Sequence, residues 1–384
     1  MKKVLQITNH MYPHLGGIER LTRDLADVLC DQNVEQKILC LNETASDGVY
    51  HCNRAETVHD IIDGVEVIRC GCVAKVRSQG LSLTFSRELR CLMDNFQPDI
   101  IIFHYPNPFE AHFLLHYRKR KCKLIVYWHL DITRQKVLGK LFQGQTEALL
   151  KRADRVVATS PNYVEGSAFL RSVREKCVVI PSCIDPERLV LSPDAERTAK
   201  QIRAETGDRV LCFAVGRHVP YKGLIYLIRA ATLLDDHFRI LIGGAGPLTE
   251  ALKKAAADDE KIRFTGRLSD EELIACYSAC DIFCFPSITK NEAFGLALAE
   301  AMYFGKPAVT FTIPGSGVNY VSVDRETGLE CPNQDATLYA AALEKLACDP
   351  QLRERLGQNA HERVMENFTK GQFRRNIERL LESL

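Results

Sequence analysis

Short apolar runs recur along the whole chain, and between them apolar residues return at helical spacing. The runs read as buried strands and the spaced segments as amphipathic helices. In the first half, strands are predicted at Val4–Thr8, Gln36–Cys40, Val65–Arg69, Ile100–His104, Leu124–Trp128, Arg155–Thr159 and Val178–Ile180. Helices fall between most of them, for example Ile18–Cys30, Phe85–Asn95 and Leu138–Lys151. Pro181 ends the last of these strands, and the proline-rich, aperiodic stretch Pro181–Asp194 reads as an interdomain linker. A second alternation follows, with strands at Val210–Val215, Phe238–Ile242, Ile262–Thr265, Ile282–Phe285 and Ala308–Phe311, and only helices from Gln334 onward. Strands alternating with helices make doubly wound parallel sheets. The expected fold class is therefore α/β, with two Rossmann-like domains facing across a cleft. Their expected bounds are residues 1–185 and 186–366, with a helix over 367–384 as a candidate to return to the first domain.

Composition narrows the class. The chain has 384 residues, 46% hydrophobic and 26% charged, enough for two domains of ordinary size. A net charge of +1 gives no support for nucleic-acid binding. No apolar run approaches the ~18 residues of a membrane span, and the N-terminus lacks a signal-peptide core. Fifteen cysteines are scattered, several of them inside apolar segments (Cys40, Cys212, Cys284). Neither Cys70-Gly-Cys72 nor the Cys276, Cys280, Cys284 series has a companion pair at zinc-site spacing, so core packing in a reducing cytoplasm is expected.

The candidate chemistry centres on SITKNEAFGLALAEAMY, residues 287–303. Here a buried strand leads to a polar loop with Glu292, then Phe294-Gly295, then an apolar helix carrying Glu300. Glycine at a helix start lets a ligand approach the backbone, and the first-turn N–H groups favour an anion. Eight helical positions span about 12 Å. Unless the loop folds back, that is too wide for two acids serving one glycosidic bond, which needs about 5–9.5 Å. Acids so placed suit the two ends of a long ligand with a negative middle, as in a nucleotide-sugar. The alternative is a pair of solvated acids.

Other loops follow strand ends, where ligands bind in such sheets. Gly16-Gly17 precedes the first helix, as a phosphate or sugar contact or as a tight turn, with Glu19 in the helix's first turn. Trp128-His129-Leu130-Asp131 offers His129 as a ligand contact, or else a histidine held by Asp131. In GRHVPYKG, after Val210–Val215, Arg217 and Lys222 are two cations that suit a diphosphate. Gly243-Gly244-Ala245-Gly246-Pro247 begins a dinucleotide pattern, but Thr249 replaces its last glycine and no ribose-binding acid follows, which argues against a dehydrogenase. There is no D-x-D motif, so Arg217, Lys222 and the helix start at Gly295 must neutralise a diphosphate without metal.

Together these motifs resemble the retaining glycosyltransferases of family 4, which have the GT-B fold, over nearly the whole chain. E-x-F-G-x-x-x-x-E resembles their E-x7-E signature, GR-x4-KG their diphosphate loop, and Gly16-Gly17-Ile18-Glu19 the loop that approaches the donor. WHxD and residues 132–136 resemble bacterial polysaccharide mannosyltransferases, and Pro314–Tyr320, expected as a flexible loop after the last strand, resembles members that use GDP-mannose. The resemblance implies transfer of a hexose, mannose favoured, from GDP-mannose or a UDP-hexose to a saccharide or lipid-linked hydroxyl, with retention and no cofactor. It implies Glu292 on the hexose, Glu300 on the ribose, Arg217 and Lys222 on the leaving diphosphate, and His129 beside the transferred sugar. Gly16, Gly17, Gly216, Gly244, Gly246, Arg267, Leu268, Phe294, Gly295 and Leu296 would line the donor. The competing reading is a non-catalytic subunit that keeps the nucleotide-sugar site. The basic run Arg118–Lys123 is a candidate contact with an anionic membrane on its inner face.

Overall fold

The computed structural model describes residues 2–14, 16–32, 34–43, 54–76, 79–117, 122–132, 136–257 and 259–384. The chain divides into two compact units. One comprises Met1–Thr159, Ser167–Ile180 and Arg374–Leu384; the other comprises Ser160–Gly166 and Pro181–Phe373.

In the first unit the strands are β1 (Lys3–Ile7), β2 (Glu35–Asn42), β3 (Val58–Ile62), β4 (Val65–Gly71), β5 (Ala74–Val76), β6 (Gln79–Leu81), β7 (Ile100–Tyr105), β8 (Lys123–Trp128), β9 (Arg155–Ala158) and β10 (Cys177–Val179). Eight of them form one sheet in the order β10-β9-β8-β7-β1-β2-β4-β3, and β5 pairs with β6 as a separate hairpin. Every neighbour in the large sheet is parallel except β3 against β4. All six residues of β7 are buried, as a parallel strand covered on both faces must be. The order reverses between β1 and β7, which opens a crevice at their carboxyl ends.

Four strands were not anticipated in the pattern, three of them, β3, β5 and β6, in this unit. β3 is an edge strand with exposed His59 and Ile61, so it lacks the apolar run that marks the interior strands. Its turn into β4 was legible: Asp63 and Gly64 both have positive φ, 50° and 80°, as an Asp-Gly hairpin turn requires. β6 contains a glycine and neither partner of the small hairpin exceeds three residues.

The second unit contains β11 (Val210–Val215), β12 (Phe238–Gly243), β13 (Ile262–Gly266), β14 (Ile282–Phe285), β15 (Ala308–Phe311) and β16 (Gly328–Cys331). They form one parallel sheet in the order β13-β12-β11-β14-β15-β16, so the order reverses between β11 and β14. β16 is the fourth unanticipated strand, and Ala308–Phe311 is therefore not the last. The core is continuous on both faces: all four residues of β14 are buried, and Phe213, Phe283 and Tyr277 meet edge to face. The stretch expected as a linker is built into this unit. Ile184 is fully buried, its N–H donates to the Phe368 carbonyl at 2.8 Å, and its own carbonyl accepts from Lys370 at 2.9 Å.

Helices Ala336–Cys348, Pro350–Asn367 and Lys370–Glu382 close the chain. Within the first unit, the final residues are tied by an Arg374–Asp31 ion pair and by Lys2 Nζ donating to the Leu381 carbonyl. The described cysteines are free thiols, most of them buried among apolar neighbours. Among the described residues no helix is long and apolar enough to cross a membrane.

Candidate active site

In the second unit, the loops leaving β11 and β14 converge where the strand order reverses. Gly216 follows β11 with φ +156°, and Lys222 ends the short 3-10 turn Pro220–Lys222. Gly223 has φ +62°, and a Cβ there would lie 2.0 Å from the Pro286 carbonyl oxygen, so only glycine lets the loops touch. The Ile288 N–H donates to the Tyr221 carbonyl at 2.9 Å and locks them. A small recess remains, lined by Gly216, Lys222, Phe285, Pro286 and Ser287.

Lys222, which lines this recess, is paired with Glu292. Nζ lies 2.5 Å from Glu292 Oε2, with side chains only 15% and 12% exposed. Ser287 Oγ donates to the same carboxylate at 3.1 Å, and the ammonium sits 5.0 Å from the centre of the Phe285 ring. Burial alone would depress the Lys222 pKa; attraction to Glu292 outweighs it and holds the ammonium above its ordinary range. Ser316 Oγ donates to the Glu292 carbonyl at 2.5 Å, and Gly317 packs so closely that a Cβ would lie 2.0 Å from Ala293 O. Pro314–Tyr320, expected as a flexible loop, is thus pinned against Glu292. Ser316 is fully buried and Asn319 Oδ1 accepts from the Ile313 N–H at 2.7 Å.

Glu300 occupies another environment. It is 6% exposed on the helix Leu296–Tyr303 and accepts a 3.0 Å hydrogen bond from the Tyr277 hydroxyl. Phe294 is a core residue whose ring meets Phe368 edge-on, so its side chain is taken up by packing. Gly295 caps the helix with φ +97°, and Leu296 is its first residue, packed against the core. Arg217 and Arg267 are exposed, and Leu268 packs over Gly243.

Gly244 and Gly246 have a packing role that their position in the motif did not disclose. A Cβ on Gly244, at φ +101°, would lie 2.1 Å from Gly216 O, and one on Gly246 would lie 2.6 Å from His218 O. The loops after β11, β12 and β13 are laced by backbone bonds, including Gly244 N–H to Gly266 O at 2.6 Å. Ser287 and His218 belong to this region and sequence pattern did not single them out. His218 is fully buried with Nδ1 2.9 Å from Thr249 Oγ1, and burial lowers its pKa.

Gly16, Gly17 and His129 lie in the first unit. Gly16 is the extended N-cap of the helix Gly17–Asp31, and a Cβ on Gly17 would meet nothing within 4 Å. At Gly16, by contrast, a Cβ would lie 2.3 Å from a Glu19 carboxylate oxygen, so the open position at this helix start is Gly17. His129 follows β8, is 7% exposed, and places Nε2 3.0 Å from His104 Nδ1. Asp131 does not hold His129: its Oδ1 accepts from Trp128 Nε1 at 3.0 Å and from Ser167 Oγ at 2.8 Å. The physical reason is the stiff indole, which buries its only donor and needs an acceptor beside it. His104, which bonds His129, and Gln6, which bonds His104, were not apparent in the pattern. Residues 133–135 and 118–121, which carry part of the mannosyltransferase resemblance and most of the basic run, lie outside the described residues.

Two family descriptions match the chain: Glycosyltransferase Family 4 over residues 15–188 and Glycosyl transferases group 1 over residues 195–363. The chain is 32% identical to the D-rhamnosyltransferase WbpZ of Pseudomonas aeruginosa over 359 residues, covering 92% of this chain and 89% of that protein. It is 30% identical to the O-antigen chain mannosyltransferase C of Escherichia coli over 371 residues, covering 96% and 94%. Among solved structures, the sucrose-phosphate synthase of Thermosynechococcus elongatus superposes with a TM-score of 0.81 at 20% identity, covering 100% of this chain and 99% of that one.

Proposed function

Because the chain belongs to the family 4 and group 1 glycosyltransferases and has their GT-B fold, we propose that this hexosyltransferase moves a manno-configured hexose from a nucleoside diphosphate. The acceptor in this reading is a hydroxyl of a saccharide or lipid-linked saccharide in cell-surface polysaccharide synthesis, and the anomeric configuration is retained. The relatives' names support the sugar: D-rhamnose is 6-deoxy-D-mannose, so both named sugars share the ring configuration up to C6.

The observation that carries the mechanism is the Lys222–Glu292 pair at the reversal point of the second sheet. Lys222 gives a dry, preorganised positive charge for the oxygen that becomes the leaving phosphate, and exposed Arg217 can fork onto the same diphosphate. The first-turn N–H groups after Gly295 add a positive helix end. Glu292, already accepting from Lys222 and Ser287, has lone pairs left for hexose hydroxyls. Glu300 is the proposed ribose contact, working beside its bond to Tyr277. Glu292 is engaged by Lys222, and among the described residues the recess is lined by no carboxylate that could act as a nucleophile. Departure of the diphosphate and front-face entry of the acceptor hydroxyl is the route in keeping with that. The reading needs no metal, because the cations fill that role.

The test is turnover of GDP-mannose, a GDP-6-deoxymannose and UDP-hexoses with and without EDTA, with the product's anomeric coupling read by NMR. Retained α-linkage from the manno donors, insensitive to EDTA, is expected. Inversion, or exclusive use of a UDP-hexose, would sink the respective part of the proposal.

A further inference from the structure

A chain of buried polar side chains crosses β2, β1 and β7 of the first sheet and ends at His129. Gln36, Gln6, His104 and His129 are 8%, 0%, 2% and 7% exposed. Parallel-sheet interiors are normally Val, Ile and Leu, and each buried amide or imidazole is costly unless fully bonded. The direction of every bond in this chain follows from its first member. Gln36 Nε2 lies 2.7 Å from the Ala26 carbonyl, which can only accept, so Gln36 turns its oxygen toward Gln6. Gln6 Nε2 donates to that oxygen at 3.4 Å, which turns the Gln6 oxygen toward His104. His104 Nε2, 3.1 Å from Gln6 Oε1, must then carry the proton. Burial keeps the His104 ring neutral, with its pKa pushed down to about 3, so Nδ1 holds a lone pair. The His129 Nε2 at 3.0 Å must therefore donate. His129 is itself held neutral by burial, and its Nδ1 takes no hydrogen bond from the described residues.

We propose that Gln36, Gln6 and His104 are positioning residues that fix His129 as the Nε2–H tautomer, so that Nδ1 presents a lone pair to a substrate hydroxyl. The hydroxyl assignment rests on the hexosyltransferase reading; the tautomer does not. A histidine fixed in this way accepts from a sugar O–H and cannot donate to a phosphate oxygen. It therefore selects for the polyol part of the substrate. Its backbone and ring are also held: the His129 backbone N–H donates to the Tyr105 carbonyl at 3.0 Å, and the ring stacks on Tyr127 with centroids 5.2 Å apart.

The experiment is long-range nitrogen–proton NMR on full-length protein with ring-labelled histidine, near neutral pH and without substrate. Both His104 and His129 are expected as Nε2–H tautomers; a protonated Nδ1 on His129 would overturn the proposal. His104→Phe removes the acceptor and should release His129 into mixed tautomers, with kcat/KM for the hexosyl donor about tenfold lower, as for one lost hydrogen bond. His104→Gln again offers a carbonyl oxygen and should restore both the signature and most of the activity. A His129 tautomer unmoved by His104→Phe counts against the relay. If the phenylalanine variant does not fold, the wild-type and His104→Gln spectra still decide. The Nε2–H tautomer in a protein that transfers no hexose from any sugar nucleotide would overturn the hydroxyl assignment alone.

Discussion

The two units reverse their strand order in the same way, yet the side chains at the two reversal points are opposites. In the second unit the crevice holds an ion pair, Lys222 with Glu292, tightened by Ser287 and an aromatic ring. In the first, neutral Gln6, His104 and His129 and the buried Glu110, whose carboxyl burial holds well above its ordinary range, stand toward the strand ends, and the one charge felt by His104 is Glu19, held below its ordinary range against burial by a hydrogen bond with His14. Topology supplies the crevice in both cases. What occupies it decides the chemistry, with charge suited to a diphosphate and neutral donors and acceptors suited to hydroxyls.

The sharpest way to break this contrast is to remove the charge. Lys222→Ala should lower kcat by about a thousandfold, the scale of losing a preorganised charge at a leaving group. It should also destabilise the fold by about 3 kcal/mol, because Glu292 stays largely buried without its partner. Lys222→Met with Glu292→Gln should recover stability and not activity. Rates near wild type in the single variant would remove Lys222 from the site.

Glycine substitution probes the loops. Gly244→Ala places a methyl group against Gly216 O at φ +101° and should cost about 3 kcal/mol by denaturant unfolding.

Acid should separate the two regions. His104 is pushed down to about 3 and His10 to about 4, so below the unfolded value near 6.5 the unfolded chain binds protons that the native state refuses. The stability from these neutral rings is present above about 6.5 and falls with pH by up to about 1.4 kcal/mol per unit for each group. Lys222 behaves in the opposite sense. Its raised pKa keeps its contribution constant below the ordinary lysine value of 10.5, and it is lost only as pH rises through the folded value. Hydrogen exchange at pH 7 and pH 5 should show greater loss of protection around β1, β7 and β8 than around β11 and β14, where His218 gives only a weaker version of the effect. Equal loss in both would contradict the neutral assignment.

The smallest effect is expected at Gly17. Gly17→Ala meets open space and should raise stability by about 0.5 kcal/mol, the helix preference for alanine. A large fall in donor affinity with that stable fold would mark Gly17 as a ligand contact.

Much of this was written in the chain order of residues. Each predicted strand is present, because a strand buried on both faces needs an unbroken apolar run. The edge strands β3 and β16 and the three-residue hairpin strands β5 and β6 escaped because edges and very short pairings need no such run. Lys222 and Glu292 were legible as charges on loops after strands. That they bond each other, seventy residues apart, depends on Gly223 letting one loop touch the other.

The amino-acid sequence by itself determined the alternation of strands and helices, the two parallel sheets and the loops that carry charge, since these follow from local periodicity and strand ends. Tertiary structure alone decided which partner each polar side chain takes. Asp131 went to Trp128 and Ser167, Glu300 to Tyr277, and His129 to a relay running back to Ala26. The reason is that a buried donor must find an acceptor within about 3 Å in space, and distance along the chain carries no information about which one it will be.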